Sequence, residues 1–546
     1  MAFFEPDEWA FTEEALGLLT ANPFRPNWGE LAEGQNLLGQ LLRNAPEAPS
    51  YRPGADLWGP QSIYSEELHQ RFTKLGESVR QRLESGRTAS GEELGRYELL
   101  ALYCLYCRYG EEMDRFIGHA VRGHDKRFGE GHPPQEEERQ CVMKAMWESF
   151  EREYETWFHF KNLRPKYEKK HVFACFFLFR RAIYHIFFNI VGTSKPIAEL
   201  RSAVWESIIT HDLLGWMQGL HRRMKDFPTL ITGPSGTGKE RVAEAIGRSL
   251  YIPFDSKKED FEVDFLKAFN PVNLSALPPL LIEAELFGHV EGSFAGAVCD
   301  RVGRLEKEAC PEHGAVFLDE IGELSAEIQV KLLRVLQTRR FQRVGENEDR
   351  EFLGKVIAAT NRDLTTEMRA GHFREDFYYR LCADQITTPS LQEQLADRPE
   401  DLPLMVWFVC RPVVGEDKAE ELAQEVVCWI EKELPGYTWP GNFRELEQCV
   451  RSYTLRKKYR PIQPRAEGRP PPGNGDPVAG ACATLADAVL HKRTTYKEIR
   501  RQLVTLVREG TLTAQEAAKL LGIDYRTLQS YMKARGRHRR VARERE

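Results

Sequence analysis

No stretch of this chain runs apolar for the about 18 uninterrupted residues that a membrane-spanning helix needs. The nearest approach, HVFACFFLFRRAIYHIFFNIVG at 171–192, is broken by Arg180, Arg181, His185 and Asn189. It is expected to be an aromatic-rich buried helix, and no membrane partner is expected. The opening residues, MAFFEPDEWAFTEE, are acidic and carry neither the basic start nor the apolar run of a signal peptide. An excess of one charge is missing too. The 76 Lys and Arg stand against 82 Asp and Glu, a net charge of −6, so any nucleic-acid contact must come from a local patch. Cysteines are scattered and odd in number, at eleven, which argues against a disulfide framework and for free thiols in a reducing cytoplasm. Cys104 and Cys107 form a C-x-x-C with no second pair at matching spacing. They are read as small apolar residues on one helix face.

What is present is a chain of 546 residues, too long for one core, and its texture changes along its length. Residues 1–188 hold long helical stretches, no repeat and no pattern that names a ligand. Near Ile190 short apolar strands begin to alternate with helices. FPTLITGPSGTGKERVAEAIGRSL reads strand, glycine loop, helix, and GAVFLDEIGEL and GKVIAATNRDL are further strands ending in polar residues. Between them, SAEIQVKLLRVLQ sets Ile328, Leu332, Leu333, Val335 and Leu336 at helical spacing. Such alternation implies a mostly parallel sheet with its ligand at the carboxyl ends of the strands. The expected division is a helical region at 1–188, an α/β domain at 189–395, a small helical lid at 396–460, a Pro/Gly-rich linker at 461–480 and a compact all-α segment with a basic tail at 481–546.

The chemistry concentrates in two motifs. Gly233-Pro234-Ser235-Gly236-Thr237-Gly238-Lys239 fits G-x-x-x-x-G-K after a strand and before a helix. Its glycines let backbone N–H groups turn around phosphate oxygens, the helix N-terminus adds positive partial charge, and Lys239 reaches the outer phosphates. Glu240 follows, where the general motif has a Ser or Thr to ligate Mg²⁺. In VFLDE, Asp319 closes an apolar strand and is the natural Mg²⁺ contact, while Glu320 can polarise an attacking water. Together they imply ATP hydrolysis with Mg²⁺. A third stretch, ELFGHVEGSFAGA at 285–297, suits neither a core nor a stable helix, and reads as an exposed, flexible loop tipped by Phe294.

GPSGTGKE, PVNLSALPPLLIEAELFGHVEGSFAGA, GAVFLDEIGELSAEIQVKLLRVLQ, VIAATNRDL, FREDFYYRL and WPGNFRELEQ follow one another in order. Over about 190–457 they resemble the AAA+ domain of bacterial enhancer-binding proteins, the activators that remodel sigma-54 RNA polymerase; that family also carries GTGKE. The resemblance implies that Asn273 holds Glu320 until ATP is sensed, and that Thr360 and Asn361 form sensor I. It makes Arg374 and Arg380 arginine fingers to a neighbour's γ-phosphate, and Arg444 the lid's sensor II. Fingers acting on a neighbour require a ring, which the resemblance implies is a hexamer. The segment Gly292, Ser293, Phe294, Ala295, Gly296, Ala297 stands where the family has Gly-Ala-Phe-Thr-Gly-Ala, the loop that grips sigma-54. Here Ser293 and Ala295 depart from that pattern.

GTLTAQEAAKLLGIDYRTLQSYMKARG, at 510–536, reads as two helices about a Gly522-Ile523 turn, with Asp524 as N-cap of the second. That is a helix-turn-helix, with Tyr525, Arg526, Gln529 and Lys533 on the outward side of the second helix. It resembles the Fis-type module of the same family, and the basic tail suits phosphate contacts. The reading is a cytoplasmic sigma-54-type activator: upstream DNA bound through 481–546, a self-assembled ATPase ring, and residues 1–188 as regulatory input. Two other functions fit parts of it. The AAA+ domain could serve as an ATP-dependent oligomerisation switch without sigma-54 contact, or the chain could be an ATP-driven remodeller of another protein.

Overall fold

Five short strands of β-branched and small apolar residues, bounded by loops and helices, build the centre of the molecule. They are β1 (Thr229–Thr232), β2 (Phe269–Asn273), β3 (Ala315–Asp319), β4 (Lys355–Thr360) and β5 (Asp384–Thr387). All pair in parallel, in the order β2-β3-β4-β1-β5. Parallel sheets are covered on both faces, and all six residues of β4 are buried. The register sets Asn273 opposite Asp319, and Thr232 opposite both Thr360 and Thr387. The carboxyl ends therefore line up along one edge, where the polar residues after each strand converge. The computed structural model describes residues 3–20, 22–24, 66–124, 136–306 and 310–461. The helix-turn-helix expected within 481–546, with Tyr525, Arg526, Gln529 and Lys533, lies outside the described residues.

Among the described residues, six helices of fourteen residues or more precede the sheet: α1 (Pro6–Leu19), α2 (Glu66–Glu84), α3 (Gly91–His124), α4 (Glu136–Phe158), α5 (Lys169–Asn189) and α6 (Lys195–Ile209). Helix α5 is the apolar stretch of the sequence. By length and composition it could cross a membrane, yet 83% of its apolar window is buried inside the fold. Its charges are buried with partners. The Arg180 guanidinium is 1% exposed and donates through Nε to Asp114 at 2.7 Å. Arg181 donates to the Leu250 carbonyl across the boundary expected at 188/189, and burial pushes its pKa down to about 9. Phe173 and Phe177 pack against Phe254 and Phe261. One apolar core runs from Phe3 through α5 to Ile386 of β5, so packing does not break where the sequence texture changes.

Helices α7 (Lys239–Gly247), α8 (Pro279–Phe287) and α9 (Ala326–Thr338) connect the strands. In α9 the expected spacing holds: Ile328, Leu332, Leu333 and Val335 are buried, and Leu336 packs against the same core. A shorter helix of 7 residues, α10 (Glu375–Leu381), precedes β5. The lid comprises α11 (Leu391–Asp397), α12 (Leu402–Val414), α13 (Glu416–Glu433) and α14 (Asn442–Arg456) around its own core, including Leu391, Met405, Val426, Ile430 and Leu446. The expected start at 396 falls inside α11. Ser390 and Glu393 form a capping box that begins this helix earlier, and Leu391 already belongs to the lid core.

Candidate nucleotide site

The loop between β1 and α7 turns tightly because its glycines permit it. Gly236 has φ +80°, and a Cβ there would lie 2.4 Å from the Gly441 carbonyl of the lid. Gly233 has φ +142°, with the Thr388 hydroxyl 2.2 Å from the same virtual position. Thr237 secures the turn by donating to the Pro234 carbonyl at 2.8 Å. Lys239 is buried, and its ammonium donates to the carbonyls of Gly233 (2.9 Å) and Pro234 (3.0 Å). Burial lowers its pKa, against the pull of Glu320 and Asp319. Glu240 lies exposed in the first turn of α7.

Asp319 ends β3 half-buried, and desolvation raises its pKa. Glu320 follows in the left-handed region at φ 58°, ψ 50°, a conformation few non-glycine residues adopt. That turn carries its carboxylate away from β3 to accept from the Asn361 N–H at 3.4 Å. Asn273 is expected to hold Glu320. Here its amide oxygen instead accepts from Ser275 Oγ (2.8 Å) and the Ala276 N–H (3.2 Å), capping the short turn after β2. No bond joins it to Glu320 among the described contacts. Thr360 is buried, and its hydroxyl accepts from the Arg362 N–H at 3.1 Å.

The lid docks on the loop through the start of α14. Asn442 donates to the Ser235 carbonyl (2.9 Å) and accepts from the Leu391 N–H (2.8 Å). Phe443 donates its N–H to the Gly236 carbonyl (3.0 Å), and Arg444 donates to Ser235 Oγ (3.0 Å). A cavity of about 300 Å³ results. Its polar lining includes Ser235 to Lys239, Asp319, Glu320 and Arg444; its apolar lining includes Ile190, Val191, Ile197, Leu200, Phe408 and Val409. Thr360, Asn361, Asn273, Arg374 and Arg380 do not line it. The apolar lining went unread in the sequence. Its signal, an Ile-Val-Gly after the aromatic helix, acquires meaning only where the chain folds back. Asp401 of the lid holds that strap in place, accepting from the Thr193 N–H and hydroxyl, each at 2.6 Å, and from the Ser194 N–H at 3.1 Å.

Arg374 and Arg380 sit at the start and in the last turn of α10, both exposed. Arg374 is paired with Asp376 through two hydrogen bonds of 3.0 and 2.7 Å. Arg380 has no ion pair among the described residues. Buried Gln329, also missed in the sequence, orients this helix by accepting from the Arg374 N–H (2.9 Å) and donating to the His372 carbonyl (3.0 Å).

The loop at 292–297 is more ordered than its composition implies. The Gly292 N–H donates to the Ala297 carbonyl (2.8 Å), and the Ala297 N–H to the Phe294 carbonyl (3.0 Å). Phe294 is not a free tip. It is half-buried, with its ring edge-on to His289 at 5.0 Å. Ser293 is half-buried beside it, while Ala295, Gly296 and Val298 are exposed, Val298 to 82%.

The sigma-54 interaction domain family matches residues 215–387. The Nif-specific regulatory protein of Azotobacter vinelandii is 37% identical over 306 residues, 55% of this chain and 52% of that protein. The transcriptional regulatory protein GlrR of Escherichia coli K12 is 39% identical over 277 residues, covering 49% and 57%. The anaerobic nitric oxide reductase transcription regulator NorR of Klebsiella pneumoniae is 36% identical over 266 residues, covering 48% and 44%. The chain thus spans about half the length of the curated relatives it matches. A crystal structure of NtrX from Brucella abortus in complex with ATP matches at TM-score 0.35 and 23% identity, over 67% of this chain and 76% of that one, too loose a likeness to carry an argument. The central region, a parallel α/β sheet with a glycine loop beneath a helical lid, is thus similar to the sigma-54 interaction domain of these transcription regulators.

Proposed function

We propose that this protein is a sigma-54-dependent transcription activator driven by ATP hydrolysis. The observation that carries the reading is a cavity of about 300 Å³ lined both by Lys239, Asp319, Glu320 and Arg444 and by the apolar side chains of Ile190, Val191, Leu200 and Phe408. The loop N–H groups and Lys239 bind the phosphates, and Arg444 senses the outer phosphate from the lid. The hard carboxylate oxygens of Asp319 and Glu320 beside this loop fit Mg²⁺, which supplies charge neutralisation on the phosphates. Asp319 holds it, and Glu320 takes the proton of the attacking water. Arg374 and Arg380, exposed on α10, act on the site of the next subunit in a hexameric ring. The Gly292–Ala297 loop passes the resulting movement to sigma-54. Residues 481–546 hold upstream DNA, with Tyr525, Arg526, Gln529 and Lys533 as the contacts, and α1 to α5 carry the regulatory input.

Transcription from a sigma-54 promoter by purified polymerase, the protein and ATP tests this. Open complexes form with ATP and fail with a non-hydrolysable analogue. No open complex under either condition overturns the reading. A second reading, a DNA-bound regulator that uses ATP only to assemble, is favoured by Ala295 and by the partial burial of Phe294. It predicts ATP-dependent assembly and DNA binding with no sigma-54 contact.

A further inference from the structure

A second cavity, of about 890 Å³, shares no lining residue with the nucleotide cavity. Lys166, Tyr167, Lys170 and His171 line it from the start of α5 and the residues just before. Met217, His221, Arg222, Tyr251 and His313 line it from the region that matches the family. Ring contacts join the two sets. The His221 ring centroid lies 4.6 Å from that of His171 and 4.5 Å from that of Tyr251. His171 Nε2 is 2.8 Å from the Met217 carbonyl, which can only accept. That nitrogen therefore carries the proton, and Nδ1 accepts from the Tyr251 hydroxyl at 2.8 Å. His171 is fully paired, but His221 is not. Its Nδ1 donates to the Trp216 carbonyl at 3.0 Å, and burial holds its pKa at about 4. At neutral pH its Nε2 is thus a bare acceptor with no donor among the described residues. Nor is it sealed in the packing, as the unpaired Trp216 Nε1 is.

Charge around the cavity is left unbalanced. Lys170 pairs with Glu168 at 3.3 Å, Lys225 with Glu312 at 3.0 Å, and His313 lies 3.6 Å from Glu262. Arg222 and Lys166 are exposed and form no ion pair among the described residues. The Arg222 charge acts on His171, His221 and Tyr251 alike. We propose that this cavity binds a small phosphorylated polyol, its phosphate on Arg222 and Lys166 and one hydroxyl donating to His221 Nε2. A phosphomonoester carries about −1.5 to −2 charge at pH 7, which matches two free cations, where a single carboxylate matches one. The remaining hydroxyls suit Glu168, Glu262 and Glu312, which line the same cavity and accept hydrogen bonds. The volume is within the about 300–1,000 Å³ typical of small-molecule sites. Residues of α5 and of the α/β domain both line the cavity, so occupancy adds contacts between the helical region and the domain that carries the glycine loop.

Calorimetric titration of the full chain with glucose 6-phosphate, ribose 5-phosphate and glycerol 3-phosphate tests this, with glucose and inorganic phosphate as controls. At least one of the three is expected to bind one per chain, about ten-fold or more tighter than either control. Arg222→Gln and Lys166→Gln, both at exposed positions, are each expected to weaken that binding about ten-fold, and His221→Phe, which removes the acceptor, about three-fold or more. Lys239→Ala, in the glycine loop, is expected to leave it unchanged. Binding by none of the three overturns the proposal, as does binding no tighter than that of inorganic phosphate. Indifference to both Arg222→Gln and Lys166→Gln also overturns it. Loss of binding in Lys239→Ala does so too, since the phosphate then sits in the nucleotide cavity. Should His221→Phe fail to fold, the two exposed variants decide alone.

Discussion

Glu320 occupies a backbone conformation that costs on the order of 1–3 kcal/mol for a non-glycine residue. Its carboxylate is thereby placed at the mouth of the loop, next to Asn361. Glu320→Gln is expected to keep ATP affinity and to lose about 10²–10⁴ in turnover, because the proton acceptor is removed while Asp319 stays. Steady-state hydrolysis and equilibrium binding measured together check this, and turnover within a few-fold of wild type would name another base. Gly236 gives a steric counterpart. Alanine there meets the Gly441 carbonyl, so Gly236→Ala is expected to push the lid off the loop and weaken ATP binding about ten-fold or more. A calorimetric titration reads that loss. The glycines and the acid pair were legible in the sequence because each needs only its neighbours. Gln329 and Asp401 were not, since each acts across a long gap in the chain on a group the sequence does not place beside it.

Among the elements, the 292–297 loop differs most from its composition. Two glycines suggested free motion, but internal hydrogen bonds and the His289 ring hold it. A half-buried Phe294 has less apolar surface to give a partner than a free tip has, out of the about 1.5–3 kcal/mol that burying a whole side chain contributes. Sigma-54 engagement by the ATP-state ring is therefore expected to be weak. Ala295→Thr restores one hydrogen bond, typically worth about 1 kcal/mol, and is expected to strengthen co-migration with purified sigma-54 about five-fold. Phe294→Ala is expected to abolish it with ATP turnover retained. If both wild type and Ala295→Thr fail to co-migrate, the loop serves another partner. Helix α5 went as its interruptions implied. Arg180 and Arg181 make a lipid-facing position costly, and each finds a hydrogen-bond partner within the fold.

For the whole molecule, the separation of α10 from the cavity is the main architectural fact. Arg374 and Arg380 do not line the cavity of their own chain. If they serve a neighbour, mixing Arg380→Ala subunits with Lys239→Ala subunits is expected to recover part of an activity that the first lowers by about 10³–10⁵. No recovery at any ratio, with mixed assemblies confirmed by native mass, refutes action in trans. Stability also depends on buried bases. Burial lowers His221 to about 4 from 6.5 and Lys355 to about 8 from 10.5. In each window the unfolded chain binds the proton and the folded chain does not, so both groups make stability rise with pH, between about 4 and 6.5 and again between about 8 and 10.5. Denaturant unfolding of wild type and His221→Gln from pH 4 to 7 isolates the first. The variant's rise is expected to be shallower, and parallel curves would deny His221 its share.

Local pattern determined the kind of protein this is. Strand, glycine loop and helix, then an acid pair closing an apolar strand, need only contiguous residues, so the α/β class and the candidate nucleotide loop could be read directly. The helical period of α9 was legible for the same reason. Tertiary structure alone decided what depends on distant segments meeting. It fused the N-terminal helices and one face of the α/β sheet into one core, through Arg181 on Leu250 and Phe177 on Phe261. It also brought Ile190, Val191 and Phe408 to one cavity. It turned Asn273 toward Ser275, and it folded Phe294 onto His289. Burial and hydrogen-bond satisfaction act between atoms close in space, and their outcome is settled by which surfaces the packed chain brings together.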